Sequence, residues 1–319
     1  MKKTLLVLKA IVSDDQEKIR QLADGMEVAF CENENPEDQL LARASYIWGN
    51  PSPARLKGCT RLEWLQLQSA GFEAYTAPGV LPEGVALTNA TGAYGETISE
   101  YLLATTLSLM KKLPLYRDGQ LKQDWKGLGR IKMLSESRVL VVGVGDIGGL
   151  YAQKLRVLGA SVSRVSRKPR ELPAYLDALY RLDTLEEILP GFDIVALCLP
   201  NNPETAGRFS RACIGCMKPG ALLLNIGRGN AVDTEALCDA LESGQLGGAG
   251  LDVTDPEPLP ANHRLWRIPT ALVTPHVAGG DASGGIYTAI VDIWLENLAR
   301  QQKAAPLLNL VNRETGYRE

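Results

Sequence analysis

The sequence predicts an α/β protein with two parallel sheets, one domain being inserted into the other. Three observations lead there. Short apolar runs alternate with helical patterns along the chain, as parallel strands joined by crossover helices do. A glycine-rich turn between a strand pattern and a helix pattern begins only at Gly143, so a separate α/β region precedes it. After the last strand pattern only one long helix and a tail remain, too little for a domain of their own. The end of the chain is therefore expected to return to the first region. That gives residues 1–98 with 283–319 as one domain and 99–282 as the other.

In the first domain TLLVLKA, VAF, ASYIWG, LEWLQLQSA and VALTN read as strands of a flavodoxin-like sheet. SDDQEKIRQLADG reads as the helix after the first strand, with Ser13 as its cap. GETISEYLLATTLSLMKKL is a long helical pattern that Pro114 should end. A basic, aromatic segment, LPLYRDGQLKQDWKGLGR, leads into the second series. There the strand patterns are SRVLVV, SVSRVS, DIVALCLP, ALLLNIGRG, GAGLDVT and ALVTPHVAGG. ASGGIYTAIVDIWLENLARQQ is the closing helix.

Composition narrows the class. Hydrophobic residues make up 45% of the 319 and charged residues 22%, as in ordinary globular proteins. A net charge of −3 provides no general field for nucleic acid or an acidic membrane. The opening MKKTLLVLKA is basic and then apolar, but Lys9 interrupts the run and no small-residue cleavage site follows. It reads as a first strand, not a signal peptide. No stretch is long enough to span a bilayer. Six cysteines are scattered, as in a reduced cytoplasmic protein. Cys213 and Cys216 form a C-x-x-C without a second pair, so they are expected to be packed on a short helix, with no metal bound.

The glycine-rich turn is Gly143-Val144-Gly145-Asp146-Ile147-Gly148. Such a turn alone is weak evidence, but here it joins a buried-strand run to an amphipathic helix, the context of a Rossmann-type dinucleotide fold. Gly143 makes the turn, Gly145 lets a pyrophosphate approach bare backbone, and Gly148 lets helix and strand pack closely. The phosphates would rest on the free N–H groups at the helix N-terminus. About twenty residues on, an NAD site carries an acid for the adenosine ribose. This chain has Ser166, Arg167 and Lys168 instead. A hydroxyl and two cations suit a 2′-phosphate, so NADP(H) is the expected cofactor, with NAD(H) tolerated if the cations are merely solvated.

Hydride addition to a carbonyl needs a proton donor and a cationic clamp. Of two histidines, His276 ends a strand pattern at the edge where ligands bind in open α/β sheets, whereas His263 lies in the loop PANHRLW. Arg228 follows another strand between two glycines that would keep it accessible. It could hold a carboxylate bidentately and polarise the adjacent carbonyl. Glu257, after the strand bearing Asp252, could orient His276 and favour its charged form.

These segments resemble the D-isomer-specific 2-hydroxyacid dehydrogenases. VVGVGDIGG, CLPNNPET, MKPGALLLNIGRGNAVDTEAL, LDVTDPEPLP and LVTPHVAG carry the resemblance, in order, between about residues 138 and 280. LQSAGFEAY and TISEYLLATTLSLM extend it into the first domain. The resemblance implies hydride transfer at C2 of a small 2-keto or D-2-hydroxy acid, with Arg228, Glu257 and His276 as the catalytic trio. It implies that backbone N–H groups at Ala70 and Gly71 hold the substrate carboxylate and that Asp252 holds the nicotinamide carboxamide. Thr97, Ile147, Leu199, Pro200 and Ile226 would line the cofactor site. A homodimer built through the dinucleotide domain is implied as well. Ser166-Arg167-Lys168, Trp48 in IWGNPSP and the ending LLNLVNRETGY are similar to NADPH-dependent glyoxylate/hydroxypyruvate reductases, and Trp48 is accordingly expected near the substrate.

Two alternatives remain at this stage. An NAD-dependent 3-phosphoglycerate dehydrogenase would need additional cations, and the first domain shows no clear cluster of them, although Arg43, Arg55 and Lys57 lie near strand ends. A non-enzymatic NADP(H)-binding sensor or corepressor would not need Arg228, Glu257 and His276 together.

Overall fold

The structure is a computed structural model that describes residues 2–143, 145–166, 171–280, 284–313 and 317–318. The chain divides into two compact units, Met1–Tyr94 with Ala282–Glu319, and Gly95–Asp281. The first division falls at Tyr94, not after residue 98, because the helix Gly95–Met110 belongs whole to the second unit.

The first unit is built on five parallel strands: β1 (Thr4–Leu8), β2 (Glu27–Cys31), β3 (Tyr46–Trp48), β4 (Trp64–Gln66) and β5 (Ala86–Thr88). Their order is β2-β1-β3-β4-β5, the flavodoxin-like arrangement. Both faces of β1 are buried, with alternate residues serving opposite sides. Leu6 and Leu8 pack with Leu41, Ile47, Leu56 and Leu65. Leu5 and Val7 pack with Trp48, Trp64 and the closing helix Gly284–Gln302, which contributes Ile286, Ile290, Trp294 and Leu298. Each such side chain contributes roughly 1.5–3 kcal/mol on burial.

Trp48 requires a correction. It is fully buried at the end of β3, with its ring 6.2 Å from that of Trp64 and 5.2 Å from that of Trp294. Alternation along β3 turns it into the core under the closing helix, so it is a packing residue and not a substrate contact.

The second unit holds seven parallel strands: β6 (Arg138–Val142), β7 (Ser161–Ser166), β8 (Ala178–Arg181), β9 (Ile194–Leu197), β10 (Ala221–Asn225), β11 (Leu246–Leu251) and β12 (Ala271–Val273). The order β12-β11-β10-β9-β6-β7-β8 is the doubly wound one, with the reversal between β6 and β9. Val139 and Val141 face the helices Gly95–Met110 and Asp146–Val157, whereas Leu140 and Val142 face the layer containing Thr234–Glu242.

Three local expectations change. Pro114 does not end the long helix. That helix stops at Met110, Lys112 turns left-handed at φ 57°, and Pro114 lies in the first turn of a further helix, Leu113–Leu121, where a missing N–H is harmless. Ser13 is the first helical residue, not the cap, which is Val12. The short edge strand β8, with the sequence ALYR, carries too little apolar pattern to stand out in the sequence.

All six cysteines are free, and burial pushes the Cys213 thiol up to about 12, which keeps it protonated and inert. Among the described residues no helix is long and apolar enough to cross a membrane, and no cluster of His, Cys, Asp or Glu could hold a metal.

Just before β9, Asp193 accepts from the Arg138 N–H at 2.9 Å and pairs with Lys132 at 2.8 Å and Lys218 at 2.6 Å. Burial pushes its carboxyl upward, but these donors outweigh it and hold the pKa at about 2. A depressed carboxylate stabilises fully above its unfolded value near 3.9, and the contribution is lost as pH falls through the folded value. Asp193→Asn is therefore expected to lose on the order of 2 kcal/mol at neutral pH. In urea titrations the gap from wild type should narrow as the pH is lowered from about 5 to about 3.

Candidate active site

The glycine-rich turn follows β6. Gly143 has φ 90°, and a Cβ there would meet the Cys198 carbonyl oxygen at 2.6 Å. Gly148 lies in the first turn of the helix Asp146–Val157, where a Cβ would fall 2.3 Å from the Gly143 carbonyl oxygen and 3.1 Å from Val141 Cγ1. Strand and helix can approach this closely only around a glycine. Gly145 differs, because a Cβ there would meet nothing within 4 Å. Packing does not require this glycine; its bare backbone leaves open space beside a helix N-terminus, where N–H groups attract anions.

The other expected cofactor residues sit on the same strand ends. Ile147 is in that helix's first turn, half-buried, and Ser166 is the last residue of β7. Leu199 and Pro200 follow β9, and Ile226 follows β10. Gly227 packs on Leu199, whose carbonyl oxygen a Cβ would meet at 2.5 Å. A Cβ on Gly95 would fall 2.5 Å from the Asp146 carboxylate. That close approach brings the first turn of the helix Gly95–Met110, with Thr97, against the glycine-rich turn. Arg167 and Lys168 lie outside the described residues.

Arg228 follows β10 with extended backbone and a half-buried side chain. Its Nη1 donates to the Gly227 carbonyl at 2.7 Å, and Asn225 Nδ2 donates to the Arg228 carbonyl at 2.9 Å. The flanking glycines serve packing more than access. A Cβ on Gly229 would fall 1.9 Å from the Thr254 carbonyl oxygen, so this turn lies flat against the segment after β11.

His276, beyond the end of β12, pairs through Nδ1 with Glu257 Oε1 at 2.7 Å. Both side chains are about half exposed, at 51% and 43%. The backbone of His276 is left-handed, φ 53°, an uncommon state for a non-glycine residue. Asp252 holds it there. Its carbonyl accepts from His276 N at 2.8 Å. Its carboxylate, only 2% exposed as a residue, accepts from Val277 N at 2.9 Å, Ala278 N at 2.8 Å and Thr274 Oγ1 at 2.6 Å. Thr274 Oγ1 also bonds the Tyr101 hydroxyl at 2.5 Å, and burial raises the pKa of that phenol. Asp252 thus has a task beyond the one expected of it, fastening the loop that presents His276. Thr274 and Tyr101 were missed in the sequence. The only signal for Thr274 was a hydroxyl two residues before a strand-end histidine.

His263 is structural. Its Nδ1 accepts from Leu265 N at 3.1 Å, and its Nε2 lies 3.1 Å from Glu235.

In the first unit Ala70 and Gly71 lie in the loop after β4. The N–H groups of Ser69, Ala70 and Gly71 donate to no described residue, which leaves three adjacent donors for a ligand. Arg43 pairs with Glu27, and Arg55 pairs with Asp38 at 2.6 Å, so both cations have acidic partners.

Thr274→Val removes one donor to Asp252 and the partner of Tyr101. Leaving such buried groups unpaired costs about 1–3 kcal/mol. The melting temperature should fall accordingly, and turnover should fall more than cofactor affinity, because the loop bearing His276 loosens.

The family model described as D-isomer specific 2-hydroxyacid dehydrogenase, NAD binding domain, matches residues 103–278. Glyoxylate/hydroxypyruvate reductase A of Serratia proteamaculans is 32% identical over 250 residues, spanning 76% of this chain and 79% of its own. A D-isomer specific 2-hydroxyacid dehydrogenase from Xanthobacter autotrophicus Py2, solved with NADPH and MES, is 27% identical with a TM-score of 0.84, covering 99% of this chain and 100% of that one. An NADPH-dependent glyoxylate/hydroxypyruvate reductase from Sinorhizobium meliloti, solved with NADP and sulfate, is 25% identical with a TM-score of 0.83 over 99% and 100%. With the family model matching more than half of it, the chain belongs to the D-isomer specific 2-hydroxyacid dehydrogenases.

Proposed function

We propose that this chain reduces a small, unphosphorylated 2-keto acid such as glyoxylate or hydroxypyruvate to its 2-hydroxy acid with NADPH. The observation that carries the reading is the His276–Glu257 pair, fixed at 2.7 Å on a left-handed backbone that a buried carboxylate holds in place. The Serratia and Sinorhizobium relatives bear that activity in their names, and both solved relatives described above hold the phosphorylated cofactor.

The residues present fit a dinucleotide. Open space at Gly145 beside the helix start at Asp146 suits a pyrophosphate, with Ile147, Leu199, Pro200, Ile226 and Thr97 around the same strand ends. Ser166, with Arg167 and Lys168 after it in the sequence, suits the 2′-phosphate. When bound, NADPH supplies the hydride.

The chain's own residues do the rest. Glu257 accepts a hydrogen bond from Nδ1–H of His276 and so leaves Nε2 to carry the exchangeable proton. His276 delivers that proton to the C2 oxygen of the substrate. Arg228 holds the substrate's carboxylate and polarises the neighbouring carbonyl, a charge-assisted contact that strengthens as negative charge builds on oxygen. The N–H groups of Ala70 and Gly71 bind a carboxylate oxygen.

We also propose a homodimer in a reducing, cytoplasmic setting. Leu113, Tyr116, Leu121, Trp125, Ile131 and Met133 are large, exposed apolar residues within one stretch of the second unit, which supports an interface there. Six free cysteines suit a reducing compartment.

The test follows oxidation of NADPH and NADH, side by side, against glyoxylate, hydroxypyruvate, pyruvate and 3-phosphohydroxypyruvate. A strong preference for NADPH with small unphosphorylated acids is expected. Equal use of NADH with the phosphorylated acid would contradict the proposal. His276→Ala should lose about a hundred- to ten-thousand-fold in turnover while NADPH still binds. Loss of NADPH affinity would make His276 structural.

A further inference from the structure

The donors at Ala70 and Gly71 are aimed by residues distant in sequence. In a planar trans peptide the carbonyl of one residue and the N–H of the next point in opposite directions. Whatever pins the carbonyl of residue 70 therefore sets the direction of the Gly71 N–H. All four carbonyls from Gln68 to Gly71 are pinned. Tyr94 Oη donates to the Gln68 carbonyl at 2.7 Å, Ala90 N to Ser69 at 2.9 Å, Asn89 Nδ2 to Ala70 at 2.8 Å, and Ser69 Oγ to Gly71 at 2.7 Å. The N–H groups of Ser69, Ala70 and Gly71 are left facing the other way, without a partner among the described residues.

Asn89 is the side chain at the centre of this frame. It is 1% exposed, and its Oδ1 accepts from Thr91 N at 3.2 Å, so the amide orientation is set from both ends. Asn309, in the segment after the closing helix, holds the backbone around it. Asn309 is left-handed at φ 55° and donates through Nδ2 to the Asn89 carbonyl at 3.2 Å and the Thr91 carbonyl at 2.7 Å. Its own carbonyl accepts from Asn89 N at 3.4 Å. The same segment is anchored by Asn297, whose Oδ1 accepts from Leu308 N at 2.7 Å and whose Nδ2 donates to Gln66 Oε1 at 2.7 Å, on the strand that leads into the loop.

We propose that Asn89, braced by Asn309, is a positioning residue for substrate binding: its side chain aims the Gly71 donor, and the turn it opens aims the Ala70 donor through Ala90 N, at the substrate carboxylate. The proposal rests on the reading of that loop as the carboxylate cradle. Neither asparagine touches substrate in this account; they act through the direction of two peptide planes.

Two variants separate the side chains from the fold. Asn89→Asp keeps the shape and removes the donor to Ala70. Asn309→Gly keeps the left-handed backbone accessible and removes both amide bonds to the Asn89 turn. At saturating NADPH, the KM for glyoxylate should rise about tenfold or more in Asn89→Asp, the loss of one well-placed bond toward a charged ligand. A smaller rise is expected in Asn309→Gly, with kcat and the NADPH dissociation constant little changed in both. Amide NMR with oxalate as probe separates the proposal from the reading beneath it. Oxalate should shift the Ala70 and Gly71 amides of the wild type and shift them less in the variants. If oxalate moves neither amide in the wild type, the cradle itself fails and the proposal fails with it. If it moves both equally in wild type and variants and the glyoxylate KM is unchanged, the cradle stands and the positioning role is overturned. A parallel loss of NADPH affinity would also overturn it, since that marks a general structural role.

Discussion

The buried carboxylate of Asp252 is the interaction on which the loop bearing His276 depends. A carboxylate out of water is unfavourable unless its oxygens are matched with donors. Here Thr274 Oγ1, Val277 N and Ala278 N match them, and all three belong to the loop that carries His276. The left-handed backbone at His276 would be unfavourable in isolation, but these bonds leave the loop little alternative. The imidazole is thereby directed at Glu257. Tyr101, from the helix Gly95–Met110, extends the same network into the core of the unit through Thr274.

A second constraint is the closeness of backbones at the carboxyl ends of the strands. Gly148 against Gly143, Gly227 against Leu199 and Gly229 against Thr254 are approaches that no side chain would permit. They hold the helix start against the glycine-rich turn, and the turn bearing Arg228 against the segments that follow β9 and β11. Gly145 is the exception, because no described residue fills the space its missing side chain leaves.

Much of this was legible in the residues. The glycine-rich turn was readable because Gly143 and Gly148 answer separate steric demands and stand between a strand pattern and a helix pattern. Arg228, Glu257 and His276 were readable because strand ends in a parallel sheet are where polar groups can stand without disturbing the core. Other features depended on three-dimensional context. Trp48 reads as a site residue beside IWGNPSP, yet alternation along β3 and the returning helix bury it between Trp64 and Trp294. Pro114 reads as a stop, but after a left-handed Lys112 it serves equally well at a start. β8 is half polar because it is an edge strand, so its pattern is faint. The support of the loop after β4 by Asn89 and Asn309 joins residues 220 positions apart, which no local pattern announces.

The central claim is that hydride passes to C2 of a 2-keto acid while His276 supplies the proton. The most direct test is to react the enzyme with glyoxylate and NADPH deuterated on the transferring face of C4, and to read the product by mass spectrometry. The account predicts glycolate carrying one deuterium on C2, formed in step with NADPH oxidation. Glycolate without deuterium on C2, or no consumption of NADPH with any 2-keto acid, would contradict it.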